Sequence, residues 1–456
     1  MTRPLRAKSG TLDRHSEGVT AARAPARPRF SATFRALKYR NFRLFFFGQM
    51  ISLVGTWMQI IAQQWLVYRL TGSATMLGVV SLMGVLPLLP MSLWGGSLAD
   101  RFPRRSIMLV TQATMMVLAF VLALLTWTGV VQVWHVIVLS VALAMANAVD
   151  IPARQAFIVE MVEGKEDLTN AIGLNSAVFN GARAVGPALA GVAVATTGEA
   201  GAFFINGLSF IAVIVSLLLM RLPSQPRAAQ PAGLSSHLGE AVRYVRGEQV
   251  VMVLISLVAV SAFLSMPYST LMPVFASEVL NTSAQPVLDF VCSQMAAVLG
   301  FSCKSPDALT YGLLMAATGL GAVMGALFVA SMSATARRGR WLTLGNLSFP
   351  ALVLLVSLSR SFALSLLLLV GVGFSFVAQN ALANTLIQVT VPDELRGRVM
   401  SFYALMFTSM MRIGGMQAGV LGDRWGAPLA VGAGAVLCLL YGLFVAWRFP
   451  RVRQMI

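Results

Sequence analysis

The sequence predicts an all-α integral membrane protein, with twelve transmembrane helices in two pseudo-symmetric six-helix bundles. Three observations carry this: composition, the spacing of apolar runs, and an internal repeat. The chain has 456 residues, 57% hydrophobic and only 11% charged, with a mean hydropathy of +0.76. A water-soluble domain cannot bury that much apolar surface. Runs near 20 residues, long enough to cross about 30 Å of hydrocarbon as helix, follow one another at 43–68, 76–98, 106–128, 131–151, 169–196, 200–220, 250–275, 309–332, 341–358, 361–383, 397–420 and 427–447. Shifting the chain by 228 positions brings Phe179, Gly186, Ala190, Gly191 and Val192 onto Phe407, Gly414, Ala418, Gly419 and Val420. A shift of 230 brings Asp150 onto Asn380 and Arg154 onto Asn384.

Two halves of like orientation imply the parallel-repeat plan of a secondary transporter, with the substrate site between the halves near the midplane. The expected organisation is a basic cytoplasmic tail at 1–40, a bundle at 41–221 and a cytoplasmic linker at 222–249. A second bundle follows at 250–450 with an outer loop at 277–308, then a short tail at 451–456. Net charge is +17, and its placement argues for membrane topology rather than nucleic acid. With the N-terminus cytoplasmic, 28 Lys and Arg residues fall on the inner side, and four (Arg69, Lys304, Arg360, Arg424) fall outside. Two, Arg183 and Arg412, lie within helices. This asymmetry predicts that both termini are cytoplasmic. No apolar leader precedes the Arg/Ala/Pro-rich tail.

Along the chain, the first helix carries Gln49, Ser52, Thr56, Gln59 and Gln63 on one stripe, and polar groups at that depth must face protein or water. Between helices 2 and 3, Gly96, Asp100, Arg101, Arg104 and Arg105 form an inner-loop cluster. Its carboxylate suits a helix N-terminus or an arginine. Arg396 and Arg398, at the inner end of helix 11, are the natural partners, so the cluster reads as an inner gate. Helix 4 offers Asn147 and Asp150, with Arg154 one turn on. Asp150 is the best proton-coupling candidate with Arg154; a permanently paired structural charge is the alternative. In helix 5, Gly173, Ala182, Gly186, Pro187, Ala190 and Gly191 form a face of small residues with a helix-loosening proline. Arg183 in that helix lines or borders the path, where it meets an anionic part of a substrate, or it ties helix 5 to its neighbours.

The linker is Pro/Ala/Ser-rich and then reads as an amphipathic helix at the inner surface. Helix 7 offers Ser261, Ser265 and Tyr268. Cys292 and Cys303 share the outer loop, where a disulfide is possible; the loop itself is a lid or a packed insertion. Helix 10 offers Asn380, Asn384 and Gln388 at helical spacing. Arg412 in helix 11 lies at nearly the depth of Arg183, but their registers differ by one residue, about 100° of helix. Cys438 in helix 12 reads as packing. No phosphate-cradling GxxxxGK[ST] segment occurs, which argues against ATP hydrolysis. The histidines (His15, His135, His237) form no cluster, so no catalytic constellation, cofactor or metal site is expected. The expected partners are a small-molecule substrate, protons and membrane lipids, with no nucleic acid, for a chain expected to be monomeric.

The segment "GGSLADRFPRRSIM" resembles the inner-loop signature of the major facilitator superfamily, with Pro103 where glycine is usual. The helix-5 residues resemble that superfamily's exporter signature, with alanine for glycine at 182 and 190. The stretch from Phe34 to Gly78, "DIPARQAF" and "PDELRGRVMS" are similar to the bacterial branch that includes the enterobactin exporter and related proton-driven efflux proteins. The matches cover most of 34–220 and, more thinly, 309–450. The resemblance implies alternating access in the bacterial inner membrane, with helices 1, 4, 7 and 10 lining the cavity. It therefore nominates Gln59, Gln63, Asn147, Tyr268, Asn380 and Asn384 for substrate binding; Arg183 and Arg412 are nominated beside them because a charge at that depth should reach a wet cavity, backbone carbonyls or a negative group. The function it implies is proton-coupled export of an amphipathic drug, siderophore or metabolite. A lipid or lysolipid carrier of the same fold, and a non-transporting sensor or partner, are the other readings.

Overall fold

The computed structural model describes residues 34–87, 102–221, 234–299, 303, 305–332 and 337–455, and among these every regular element is a helix. Helix α1 spans Arg40–Thr71 and stops at Gly72, whose φ of 59° is left-handed. The Gly72 amide closes the last turn on the Tyr68 carbonyl at 2.7 Å, a glycine C-cap. Helix α2, Ala74–Met83, begins at once because the Ser73 side chain accepts from the Met76 amide. Helix α3 is Arg104–Trp127. Helix α4 is Val133–Glu160, opened by reciprocal bonds between Gln132 and His135, which gives His135 a capping role.

The 55-residue stretch Lys165–Leu219 is broken at Gly198, where φ is 79° and ψ 176°, a conformation readily available only to glycine. We label the parts before and after it α5 and α6. A linker helix, Leu234–Gly247, occupies the expected amphipathic position. Helix α7, Gln249–Val279, is interrupted beyond Leu264 near Pro267. It leads into an outer-loop helix, Asn281–Leu299. Then come α8 (Pro306–Ser331), α9 (Arg338–Leu358), α10 (Phe362–Thr390), α11 (Asp393–Trp425) and α12 (Ala427–Arg448).

Among the described residues, nine helices are long and apolar enough to cross a membrane, counting Glu166–Leu219 once despite its break. Helix α2 is short within the described residues, and α11 is polar at both ends. The described helices overlap the twelve expected runs, although of the run at 76–98 only the part before 88 is described. Helix α4 runs on to Glu160 rather than ending near 151, α10 runs on to Thr390 rather than 383, and α11 begins at Asp393 rather than near 397. Asp393 and Glu394 interrupt the apolar run, yet carboxylates in a first turn suit the helix dipole.

The apolar cores show how the halves meet. One core, containing Met58, Trp65 and Leu77 with Leu271, Tyr311 and Ala418, draws on both halves. It lies toward the ends joined by the α1–α2 and α11–α12 turns, which we label the outer ends, following the orientation expected from the distribution of basic residues. Toward the inner ends the cores separate. One, around Phe42, Phe157 and Leu217, belongs to the first half. The other, around Leu254, Leu386 and Val399, belongs to the second half and its linker helix. The bundles therefore share their packing at the outer end and part company at the inner end.

Candidate functional site

Glycines set the outer closure. A methyl group on Gly78 of α2 would lie 2.7 Å from the Met416 Cα of α11, and one on Gly419 would lie 2.5 Å from the Ala74 carbonyl oxygen. Between α5 and α8, a methyl on Gly191 would lie 2.9 Å from the Gly312 Cα, and one on Gly319 would lie 2.5 Å from the Ala184 Cα. Only residues without a Cβ allow backbones this close. The helix-5 signature thus divides along its length. Gly191 meets α8, Gly186 meets Trp57 of α1, and Ala182 and Ala190 are buried. Gly173, in the inner half, faces open space.

Polar contacts complete the outer closure. The Tyr68 hydroxyl of α1 donates to Glu278 of α7 at 2.5 Å. Tyr311 of α8 donates to Gln64 and stacks on Trp65 with ring centroids 6.4 Å apart. Asp423, past the apolar run of α11, caps the N-terminus of α2. It accepts from Ser73 Oγ at 2.6 Å, Ala74 N at 2.7 Å and Thr75 N at 2.9 Å. Partial burial pushes its carboxyl upward, but the Ser73, Thr75 and Ala74 donors together outweigh this and hold it below the ordinary carboxylate range. The spacing Gly419-x-x-x-Asp423-Arg424 repeats that of Gly96-x-x-x-Asp100-Arg101. That repetition was the available sequence signal for this contact.

Just inside the closure lies a cavity of about 300 Å³, lined by residues of α1 to α4, α6 and α11. The predicted Gln59, Gln63, Asn147 and Arg412 all line it, joined by Gln64, Ser81 and Asn206. Asn206 Nδ2 donates to Gln59 Oε1 at 2.5 Å, and Gln63 Nε2 donates to Ser140 Oγ at 2.9 Å. Arg412 Nη1 donates to Ser81 Oγ at 2.9 Å, while its Nε is buried without a hydrogen-bond partner. Within the α1 stripe, Thr56 also reaches the cavity, whereas Gln49 and Ser52 are buried deeper in the bundle.

The second half contributes less to this cavity than pseudo-symmetry implied. Tyr268 is 2% exposed and packs edge-on against Phe349, because the Pro267 break turns it into the core. Asn380 donates to the Phe376 carbonyl at 3.0 Å, and Asn384 accepts from Gln388 one turn on. None of the three lines the cavity. Arg183 is also apart from it. Its guanidinium lies 5.7 Å from the ring centre of Trp57 in one half and 5.6 Å from that of Phe376 in the other. Such ring faces attract a cation. Arg183 makes no ion pair or hydrogen bond with another described residue. The two arginines therefore point in different directions, as their one-residue offset requires.

Asp150 is fully buried one turn below Asn147. Oδ1 accepts from Thr111 at 2.7 Å and Gln112 at 3.1 Å, and Oδ2 lies 3.3 Å from Arg154 Nε. In this conformation Asp150 is therefore paired, as both the proton-coupling and the structural-charge readings require. At the inner end, Gly96, Asp100 and Arg101 lie outside the described residues. Arg104 pairs with Glu160 at 2.8 Å, and Arg105 donates to the Leu218 carbonyl at 2.9 Å. Arg396 pairs with Asp393 and donates to the Gln388 carbonyl at 2.9 Å; Arg398 pairs with Glu240 of the linker helix. Cys292 and Cys303 form a disulfide with Cα atoms 5.7 Å apart. The outer-loop helix buries Ala284 and Leu288 in the shared core, while Phe290 of the same helix is exposed.

The profile of the family described as transmembrane secretion effectors matches residues 31–290 and 290–455. The chain belongs to this family. It is 25% identical over 421 residues to the multidrug efflux pump Tap of Mycolicibacterium fortuitum, covering 90% of this chain and 96% of that one. It is also 25% identical over 243 residues to the staphyloferrin A transporter of Staphylococcus aureus, 52% of this chain and 59% of that one. Among solved structures, an inward-facing bacterial homologue of the lysosomal transporter Spinster aligns with a TM-score of 0.63 at 15% identity, covering 93% of this chain and 99% of that one. That likeness shows the major facilitator fold. The chain is accordingly a multi-pass transporter of this superfamily rather than an enzyme.

Proposed function

We propose that this protein is a secondary active exporter of amphipathic small molecules in the bacterial inner membrane, coupled to proton entry. The observation that carries the proposal is the amide- and arginine-lined cavity, which lies between shared packing at one end and separated cores at the other. With both termini cytoplasmic, this arrangement is the inward-facing state, and a solute enters the cavity from the cytoplasm. Release outward requires the contacts of Asp423 with α2, of Tyr68 with Glu278 and of Tyr311 with Gln64 to part. The inner bundles then approach each other.

The relatives that are efflux pumps support the outward direction. Asp150, held by Thr111, Gln112 and Arg154, is proposed as the proton-exchanging group. In that role, the pair with Arg154 loosens when the inner ends close. Inverted vesicles with an acid interior test the proposal. A transported compound should accumulate and dissipate the pH difference. If a compound is transported while the pH difference is unchanged, and Asp150→Asn transports normally, proton coupling through Asp150 is wrong.

A further inference from the structure

At one part of the cavity, two amide NH2 groups and a guanidinium nitrogen are left without acceptors. The Gln59 amide oxygen is occupied by Asn206 and the Gln64 amide oxygen by the Tyr311 hydroxyl. With the amides oriented by those bonds, the NH2 groups of Gln59 and Gln64 are left without an acceptor. Arg412 spends one nitrogen on Ser81 and keeps a buried Nε without a partner. All three residues line the same cavity, and Arg412 is the only charged residue among its described lining. No carboxylate is among its described lining. Asp150 is enclosed by Thr111, Gln112 and Arg154, while Glu278 lies at the outer closure against Tyr68.

Although the Gln63 and Asn147 amide oxygens also line the cavity, a half-buried guanidinium beside unpaired amide NH2 groups favours an anion or a dense acceptor group, most strongly where water is excluded. An organic cation in the same place meets like charge and no countercharge. The apolar part of a ligand has its own seat on Ile60, Val67, Leu77, Val80, Leu143 and Phe210.

We infer that the cavity selects by the sign of charge: it takes amphiphiles bearing a carboxylate or comparable anionic group and rejects organic cations. This rests on the transport reading above and deepens it by naming the substrate class. Arg412, with the Gln59 and Gln64 amides, forms the anion subsite, and the apolar wall holds the remainder of the molecule.

The test uses full-length protein in nanodiscs and two coumarin dyes of one scaffold. One bears a 3-carboxylate and the other a trimethylammonium group at the same position. Binding is read by the anisotropy of the dye itself. The carboxylate should bind at least tenfold more tightly than the cation. Arg412→Gln should erase most of that preference, and Arg412→Lys should restore a substantial part. Equal or tighter binding of the cation, a preference unchanged in Arg412→Gln, or no binding of either dye overturns the inference. Flux of the same dyes in inverted vesicles is scored separately. Selective binding without flux sinks the transport reading and leaves the charge selection standing. Flux of the cation alone does the reverse.

Discussion

Replacing Asp423 with alanine should unlatch the outer end. The carboxylate accepts three hydrogen bonds at the start of α2, from Ser73 Oγ, Ala74 N and Thr75 N at 2.6, 2.7 and 2.9 Å. Loss of an N-cap acceptor costs about 0.5–2 kcal/mol, and loss of an anion at a helix N-terminus costs about 0.3–1 kcal/mol more. The site is exposed, so the middle of the summed range, about 2 kcal/mol, is the working figure, equivalent to a factor of about 30 in an equilibrium. A closed-to-open ratio of about 99:1 would fall to about 3:1.

Spin labels on cysteines placed at Val130 and Arg360, both exposed and in opposite halves, report the separation of the outer ends. The native cysteines do not interfere, since Cys292 and Cys303 are bonded and Cys438 is buried. Asp423→Ala should add a longer-distance population of roughly a quarter at that ratio. Asp423→Asn, which keeps one acceptor oxygen, should give an intermediate result. Distance distributions indistinguishable from wild type would refute the latch.

Other outcomes follow from the same geometry. Because the Asp423 carboxyl is held below its ordinary value of 3.8, its bonds to α2 are fully present above that value and lost only as pH falls through the lower folded one. The wild-type outer-end distance should therefore be constant from about pH 8 to about pH 5; an opening within that range would show that another group controls the closure. Gly312→Val should block close approach of α5 and α8, since a Cβ there would sit 2.4 Å from the Gly191 Cα. Overpacking of about 1–3 kcal/mol predicts reduced flux and a lower melting temperature, and unaltered values of both contradict the packing argument. Asp150→Ala leaves Arg154 without its partner, and breaking a buried pair costs about 3–5 kcal/mol; a thermal unfolding curve unchanged from wild type contradicts a buried pair. Reducing the Cys292–Cys303 bridge, whose cysteines are 11 residues apart, should destabilise the outer loop by up to about 3 kcal/mol. Proteolysis around 281–305 before and after reduction measures that effect.

Much of the fold was legible because membrane insertion writes its rules into local sequence. Apolar runs located the helices, and the shift by 228 residues located the halves. The α1 stripe led to Thr56, Gln59 and Gln63 because helical spacing alone places them together. Gln64 escaped that pattern, being one residue off the stripe, yet Tyr311 orients its amide toward the cavity. Asn206 escaped because α6 reads as ordinary apolar packing around it.

Tyr268, Asn380 and Asn384 were nominated because the resemblance places helices 7 and 10 along the cavity, which fixes helices but not which side chains reach the space between them. In one conformation, the space between the halves is shared unequally, and the Pro267 break buries Tyr268. The repeated Gly-x-x-x-Asp-Arg spacing marks Asp423 in the sequence, but its partner α2, some 350 residues away, needed the structure. No local periodicity records a contact of that kind. Arg183 and Arg412 could be separated in direction from register alone. Their surroundings, two aromatic rings for one and a polar cavity for the other, came from tertiary packing.

Substrate accumulation measured in energised inverted vesicles tests the central claim most directly. With an acid interior, the coumarin carboxylate should accumulate against its gradient, collapse the pH difference as it enters, and do neither in Arg412→Gln vesicles holding equal amounts of folded protein. If folded wild-type protein binds the dye yet produces no accumulation above protein-free vesicles, the account of this chain as a gradient-driven exporter is contradicted.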